Sequence, residues 1–395
     1  MTVIKILVIL IDIAMFLYAL ASGFFSILPF FRKEEQLHSD HKQYRYAVLI
    51  PARNEENVIT DLLESLKNQN YPSELIDIRV LINDCSDHTA KIAEEYGAEI
   101  LECGNQMHTK GEVLRYAFEQ YKDDTDTDAY IIFDADNIVD QDFVSRCNSL
   151  YSSGAKVIQG KRCGVDTQDS VVSGFYRIYY ALQNGQYNAS RRKAGLSASI
   201  NGSGWLVDKK LIDTEGFECV TIVEDFEYTI LCDLNDTMIY YCQTAVTKDE
   251  FPDDLITSIR QRVRWSKGII ENIIRYVPSL FKKALRGSLS SFDVLLVTIS
   301  CLAIALTFPV LAVNYIFVAN YMKLSTWLLM VSALLWVGFV VAAFLAIIEN
   351  KDPLKKNLKS IILFPIFILT WMIAFILSLF QKGHNWTPIE HRHTV

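Results

Sequence analysis

The chain is poor in the signatures that assign a protein quickly. No two of its eight cysteines form a C-x-x-C pair; they lie at Cys85, Cys103, Cys147, Cys163, Cys219, Cys232, Cys242 and Cys301. Neither a zinc site nor a dithiol redox motif is indicated, and scattered single thiols fit a reducing compartment. The first strand–helix turn, Pro51-Ala52-Arg53-Asn54-Glu55, lacks the G-x-G-x-x-G of a dinucleotide fold, which argues against a dehydrogenase. Positive charge is not in excess: 38 Lys and Arg stand against 46 Asp and Glu, for a net charge of −8. With no basic stripe, nucleic acid is not an expected partner. Charge is missing altogether from the stretches 294–319, 324–348 and 360–380, each long enough to cross a bilayer. The Asn-x-Ser/Thr matches at Asn188, Asn201 and Asn235 fall inside the candidate catalytic region and read as chance.

What is present is apolar. The hydrophobic fraction is 51% and the mean hydropathy +0.17, high for a soluble protein and suggestive of membrane segments. The length of 395 residues allows two or three domains. Residues 6–31 are almost wholly apolar apart from Asp12 and run into Arg32-Lys33, the pattern of an anchor with a cytoplasmic exit. Ala19-Leu20-Ala21 resembles a signal-peptide cleavage site, but Phe24 to Phe31 continues the apolar run too far for one.

From about residue 45 strand and helix patterns alternate. Strands are predicted over 46–50, 78–82, 98–101, 130–133 and 155–159, and helices over 58–66, 89–96, 110–121 and 141–152. Such alternation predicts an α/β domain with a mostly parallel sheet flanked by helices. Later, Ile269, Ile270, Ile273, Ile274, Val277, Leu280, Phe281, Ala284 and Leu285 form one helical stripe, with Glu271, Arg275, Lys282 and Lys283 opposite. An amphipathic helix of this kind beside membrane spans belongs in the interface. Lys351, Lys355, Lys356 and Lys359 make the 349–359 connection a cytoplasmic loop. The expected division is an anchor over 1–33, a cytosolic α/β domain over 45–252, interfacial helices over 253–288, three transmembrane helices over 289–381 and a tail over 382–395. One span before the α/β domain and three after it put the tail outside the cytoplasm; a re-entrant 360–380 returns it. Both arrangements stand at this point.

The chain is organised around Tyr130-Ile131-Ile132-Phe133-Asp134-Ala135-Asp136, a buried-strand pattern running into two carboxylates spaced i, i+2. Acids at the carboxyl end of such a strand sit at the mouth of the sheet, where ligands bind. Two of them separated by a small residue can present oxygens to one hard cation. The plain alternative is that they cap the next helix. Other signatures follow in order: Asn83-Asp84 after the second strand, Gly202-Ser203-Gly204-Trp205, Glu224-Asp225, and Gln261-Arg262-Val263-Arg264-Trp265 before the amphipathic stripe.

This series resembles the membrane-embedded family-two glycosyltransferases, the group of the cellulose, hyaluronan, chitin and poly-N-acetylglucosamine synthases. The resemblance spans roughly 45–285 by motif, and its most specific element is the Q-x-x-R-W pentad. It implies a GT-A-type nucleotide-sugar domain, a UDP-sugar donor, Mg2+ or Mn2+ as cofactor, and a membrane location with the catalytic domain cytoplasmic and several spans. By the same resemblance Asp136 binds the ion, Asp134 faces nucleotide and ion, and Asp84 bonds the uracil ring in a pocket lined by Ala52, Arg53 and Glu55. Lys110 stands where relatives carry a His-x-Lys element and reaches the diphosphate, although the residues after it depart from the usual pattern. Gly202 and Ser203 stand for a glycine-containing acceptor loop that in relatives often carries a cysteine, absent here. Trp386 in the tail takes a gating role by analogy.

Asp225 is the expected general base, since a carboxylate within reach of the acceptor hydroxyl can take its proton during attack. Its neighbour Glu224, also placed in the substrate site, points elsewhere, because adjacent side chains diverge. Arg264, with Gln261 and Arg262, suits a departing pyrophosphate, a guanidinium fork matching phosphate oxygens. Trp265 offers a flat face to an acceptor ring. The expected function is an inverting, metal-dependent β-glycosyltransferase that extends a growing glycan with glucose or N-acetylglucosamine, processively and coupled to export, with room for an accessory export subunit. Single addition to a lipid acceptor, a non-catalytic scaffold and a transporter are the competing readings, the last unsupported because ionisable residues cluster outside the spans.

Overall fold

A computed structural model describes residues 2–31, 42–104, 107–303, 306 and 321–381. Arg32-Lys33, most of the 294–319 stretch and the tail with Trp386 lie outside the described residues. The chain divides into two units. Among the described residues, one comprises those within 42–168 and 187–251, and the other those within 2–31, 169–186, 252–303, 306 and 321–381.

The first unit is built on eight strands: β1 Tyr46–Ala52, β2 Ile76–Ile82, β3 Glu99–Glu102, β4 Ala129–Ile132, β5 Ile138–Val139, β6 Val157–Gly164, β7 Trp205–Asp208 and β8 Ile239–Asp249. Their order is β3-β2-β1-β4-β7-β6-β8-β5. β1 to β4 are mutually parallel where they pair, as are β6 and β8; β7 runs antiparallel to both its neighbours and β5 antiparallel to β8. All seven residues of β1 are buried, which explains its unbroken apolar text: helices cover both faces of the sheet. Side chains alternate between those faces. Tyr46, Val48, Ile50 and Ala52 meet Ile59, Leu62, Leu63 and Leu66 of the helix Ile59–Lys67 and Val144 and Cys147 of the helix Phe143–Ser152. Ala47 and Leu49 face Val113, Leu114, Ala117 and Phe118 of the helix Lys110–Gln120 and Tyr228 and Cys232 of the helix Glu224–Leu234. Each such buried aliphatic side chain stabilises the fold by roughly 1.5–3 kcal/mol. The parallel strands deliver their carboxyl ends to one edge, and the loops that leave them carry the acidic motifs.

The second unit is helical: Thr2–Ile27, Val171–Leu182, Leu255–Leu285, Leu289–Thr298, Tyr321–Asn350 and Leu354–Ser378. The amphipathic stripe is the second half of one 31-residue helix, started by Asp254, whose carboxylate accepts from the Ile256 and Thr257 amides at 2.9 Å each. Ile274, Phe281 and Leu285 of that stripe are exposed. Lys355, Lys356 and Lys359 stand on the helix Leu354–Ser378 rather than in a loop; the connection is reduced to a short turn at Lys351, whose φ is 64°. Among the described residues Leu354–Ser378 is the one helix long and apolar enough to cross a membrane, with mean hydropathy 2.6. The stretch 324–348 lies within the helix Tyr321–Asn350.

Candidate active site

The loops after β1 and β2 are zipped together. The Asn54 carboxamide oxygen accepts from the Ser86 amide at 2.8 Å, Thr89 Oγ1 from the Glu55 amide at 2.8 Å, and Asp87 Oδ2 from the Glu56 amide at 3.0 Å. Asn54 and Asp84 both hold left-handed backbone, with φ of 57° and 54°. That region is sparsely used by residues other than glycine, Asn and Asp excepted, and such positions cluster at ligand sites. Ala52 is buried as the last residue of β1. Arg53 Nη2 donates to Asp84 Oδ2 at 2.7 Å, so Arg53, Glu55 and Asp84 line one paired set of loops.

Asp134 follows β4 and is the hub of the charges. A capping box, in which Thr109 and Glu112 satisfy each other's backbone amides, makes Lys110 the first residue of its helix. From there Lys110 Nζ donates to Asp134 Oδ1 at 2.5 Å and to the Gly202 carbonyl at 2.7 Å, and lies 3.8 Å from Glu224 Oε1. Burial by itself depresses an ammonium, but Asp134 and Glu224 outweigh it and raise the Lys110 pKa. Glu224 packs its Cβ where a side chain on Gly111 would sit, 3.0 Å away, so Gly111 is the residue that admits it. Burial pushes the Glu224 carboxyl up to about 7, with Lys110 opposing. Burial likewise raises Asp225, against its bond from the Phe226 amide and the charges of Lys110 and Arg162. The two neighbours diverge: Glu224 turns to Lys110 and Asp225 to the Gly202 turn, where its Oδ2 lies 3.5 Å from the place a Gly202 Cβ would occupy. Asp136 is half-buried, and one of its oxygens accepts from Asn137 Nδ2 at 3.2 Å.

The loop Asn201–Gly204 is tied at both ends. Ser203 Oγ accepts from the Asp134 amide at 2.9 Å and donates to Asn137 Oδ1. Gln159 accepts from the Asn201 amide and donates to the Ser203 carbonyl, both at 2.9 Å. Arg162 Nη1 donates to the Asn201 carbonyl at 2.6 Å. Gly202 and Gly204 have φ of 84° and 65°, backbone that a side chain would strain. Thus Lys110, Asp134, Gly202, Ser203, Glu224 and Asp225, widely separated in the chain, converge. Asn137, Gln159, Arg162 and Asp249 complete the cluster and were not found from the sequence. Asn137 directly follows the acidic pair and was open to reading. The bonded partners Arg162 and Asp249, 87 residues apart, carry no local signal.

The pentad lies in the helical unit and separates into distinct environments. Arg262 is fully buried. Its guanidinium donates to Thr370 Oγ1 at 2.6 Å, to the Phe367 carbonyl at 3.2 Å and to Ser258, and stacks over the Phe367 ring at 4.3 Å. Its donors are engaged by its own helix and by Leu354–Ser378, which departs from the pyrophosphate-binding role expected alongside Arg264. Arg264 and Gln261 are half-buried, and Gln261 Oε1 makes no hydrogen bond among the described residues. Trp265 belongs to an aromatic cluster: its ring stacks on Tyr179 with centroids 6.2 Å apart and meets Trp371, tilted, at 6.1 Å, while Tyr179 and Trp371 are 5.9 Å from each other.

The model of a family described as "Glycosyltransferase like family 2" matches residues 43–268. The chain belongs to this family. Among curated proteins this glycosyltransferase is 23% identical over 394 residues to a probable glycosyltransferase, YdaM, of Bacillus subtilis, covering 95% of this chain and 90% of that one. It is 26% identical over 266 residues to the poly-beta-1,6-N-acetyl-D-glucosamine synthase of Staphylococcus epidermidis and 24% over 262 residues to the beta-monoglucosyldiacylglycerol synthase of Trichormus variabilis. Each of those matches covers 63% of this chain, and 62% and 54% of the respective relative. Among solved structures, the mannosyltransferase PcManGT of Pyrobaculum calidifontis, in complex with GDP-Man and Mn2+, superposes with a TM-score of 0.61 at 15% identity, over 88% of this chain and 98% of that one. The fold is of the GT-A type, and the chain is a hexosyltransferase using a nucleotide sugar.

Proposed function

We propose that this glycosyltransferase moves glucose or N-acetylglucosamine from a UDP-sugar, with inversion, onto a growing glycan at the cytoplasmic face of a membrane. The observation that carries it is the convergence of Asp134, Lys110, Asp225 and the Gly202 turn at the carboxyl edge of the sheet. Asp84, beside Arg53 at the end of β2, takes the uracil ring, with Ala52 and Glu55 lining the pocket. Lys110 neutralises the diphosphate. Asp225 takes the proton of the acceptor hydroxyl while that oxygen attacks the anomeric carbon. The bond from this carbon to the diphosphate oxygen breaks, its electron pair leaves with UDP, and an α-linked donor gives a β-linkage. By the sequence resemblance, Arg264 and Gln261 are assigned to the departing pyrophosphate and Trp265 to the acceptor ring.

The residues fit a divalent ion that arrives with the substrate. Among the described residues no group of three His, Cys, Asp or Glu side chains is arranged to hold a metal ion, while Asp136 keeps a half-buried carboxylate beside Asp134. Mg2+ is commonly held by one or two carboxylates plus substrate phosphates. Bound there, Mg2+ or Mn2+ supplies Lewis-acid stabilisation to the leaving group.

A second reading, one sugar added to one membrane lipid, is favoured by the comparable similarity to the monoglucosyldiacylglycerol synthase. Incubating the purified full-length protein with Mg2+ or Mn2+ and a panel of UDP-sugars, and following UDP release and product mass, tests both. A ladder of masses supports extension, and a single sugar on lipid supports the second reading. No UDP from any donor overturns both.

A further inference from the structure

The pair Arg162–Asp249 stands apart from the residues so far given a role. Asp249 is fully buried and the Arg162 side chain 14% exposed. Their ion pair joins Arg162 Nε to Asp249 Oδ2, and the other oxygen of Asp249 accepts from Asn137 Nδ2 at 2.6 Å. Buried ion pairs of this kind seldom stabilise a fold more than apolar residues of the same shape, so a geometric role is the natural one to seek.

The strand pairing shows how the two meet. β6 and β8 pair in register up to Gly160 with Cys242, then resume at Lys161 with Val246, leaving Gln243, Thr244 and Ala245 as an excursion on β8. In the resumed register Arg162 faces Thr247, so Asp249 is its diagonal neighbour on the same face. An uninterrupted register would have set Arg162 opposite Thr244 and turned Asp249 to the other face, because an odd insertion reverses the side-chain parity. Irregularities of this sort re-aim side chains beside active sites. Here the result is a closed ring of bonds. Asp134 is held by Ser203, Ser203 by Asn137, Asn137 by Asp249, Asp249 by Arg162, and Arg162 by the Asn201 carbonyl, two residues before Ser203. Arg162 Nη2 also lies 3.8 Å from Asp134 Oδ2.

We propose that Arg162, anchored by Asp249, is a positioning residue that sets the Asn201–Gly204 loop in register with the donor carboxylate Asp134, so that the acceptor hydroxyl rather than water reaches the anomeric carbon. This inference rests on the glycosyl-transfer reading above. If the loop is misplaced, water attacks the same carbon, the bond to the diphosphate breaks as before, and the products are free sugar, UDP and a proton taken by the base.

The test uses the full-length protein in native membrane vesicles with radiolabelled UDP-glucose and UDP-N-acetylglucosamine. UDP release, label retained in lipid or polymer, and UDP affinity are measured together. Arg162→Lys keeps the charge and loses the planar fork; Asp249→Asn keeps the shape and loses the charge of the anchor. For Arg162→Lys, UDP affinity is expected to stay within about threefold, while retained label falls on the order of 100-fold, the scale of a misplacement near 1 Å. UDP released per sugar retained rises above the wild-type ratio. Asp249→Asn is expected to move the ratio the same way. It carries the test if Arg162→Lys fails to accumulate, and thermal unfolding of each variant separates a changed ratio from lost protein. Wild-type turnover with an unchanged ratio in the variants, retained label and UDP release falling in step, overturns this inference alone. A wild-type protein that releases no UDP from either donor overturns the transfer reading as well.

Discussion

Glu224 and Asp225 are chain neighbours with different tasks, because the helix start on which they sit turns one to Lys110 and the other to Gly202. Asp225→Asn removes the proposed base and keeps the shape. Transfer is expected to fall by about 10²–10⁴, with UDP affinity unchanged by calorimetry. A base must be ionised, and burial raises the Asp225 pKa, so the acid limb of the rate profile should lie above the ordinary aspartate value. Lys110 opposes that rise, so Lys110→Met should move the limb to still higher pH besides slowing the reaction. For Glu224 the folded value, about 7, exceeds the ordinary 4.5. Across that window the folded state holds a proton the unfolded chain has released, so its contribution to stability falls as pH rises. The melting temperature of Glu224→Gln should therefore gain on the wild type between about pH 5 and pH 8. Gly202→Ala meets two obstacles, a φ of 84° and Arg162 Nη1 at 2.8 Å from the new Cβ; loss of transfer at retained UDP affinity is the expected outcome.

At the scale of the element, the helix Leu255–Leu285 separates two arginines two positions apart. Arg262 spends its donors on Thr370, Phe367 and Ser258 and its face on the Phe367 ring; Arg264 is half-buried. Arg262→Ala should therefore cost stability, roughly 2–5 kcal/mol by analogy with other large-to-small core changes, and lower the melting temperature in detergent. Arg264→Ala should leave that temperature within about a degree, since surface-like changes are usually small, and cut transfer instead. The reverse assignment in the two melting curves would refute this division. The pentad was legible as a motif, and adjacent letters in it looked alike. Burial against Leu354–Ser378 is a long-range fact that separates them.

For the whole molecule, the proposed cation site is completed by substrate. Mn2+ titrated into the protein alone should show weak binding by electron paramagnetic resonance, and addition of UDP should tighten it at least tenfold. Tight binding without nucleotide would contradict a site of Asp136 and phosphate oxygens. The α/β unit was expected over 45–252, and the strands forming its sheet lie between Tyr46 and Asp249. Its chain, however, leaves at 169–186, whose helical segment belongs to the other unit. An apolar helical pattern states that a face is buried without stating against what.

By itself the sequence determined the alternation of strand and helix, the acids at the strand ends and the family, because these depend on residues close together in the chain and on backbone periodicity. Only the tertiary structure decided which cations meet Asp134, which way Glu224 and Asp225 turn, and that Arg162 finds Asp249 across an odd-numbered excursion in β8. Such choices depend on strand register and on burial among distant residues, and a one-residue change of register exchanges the faces of a strand without altering its local text.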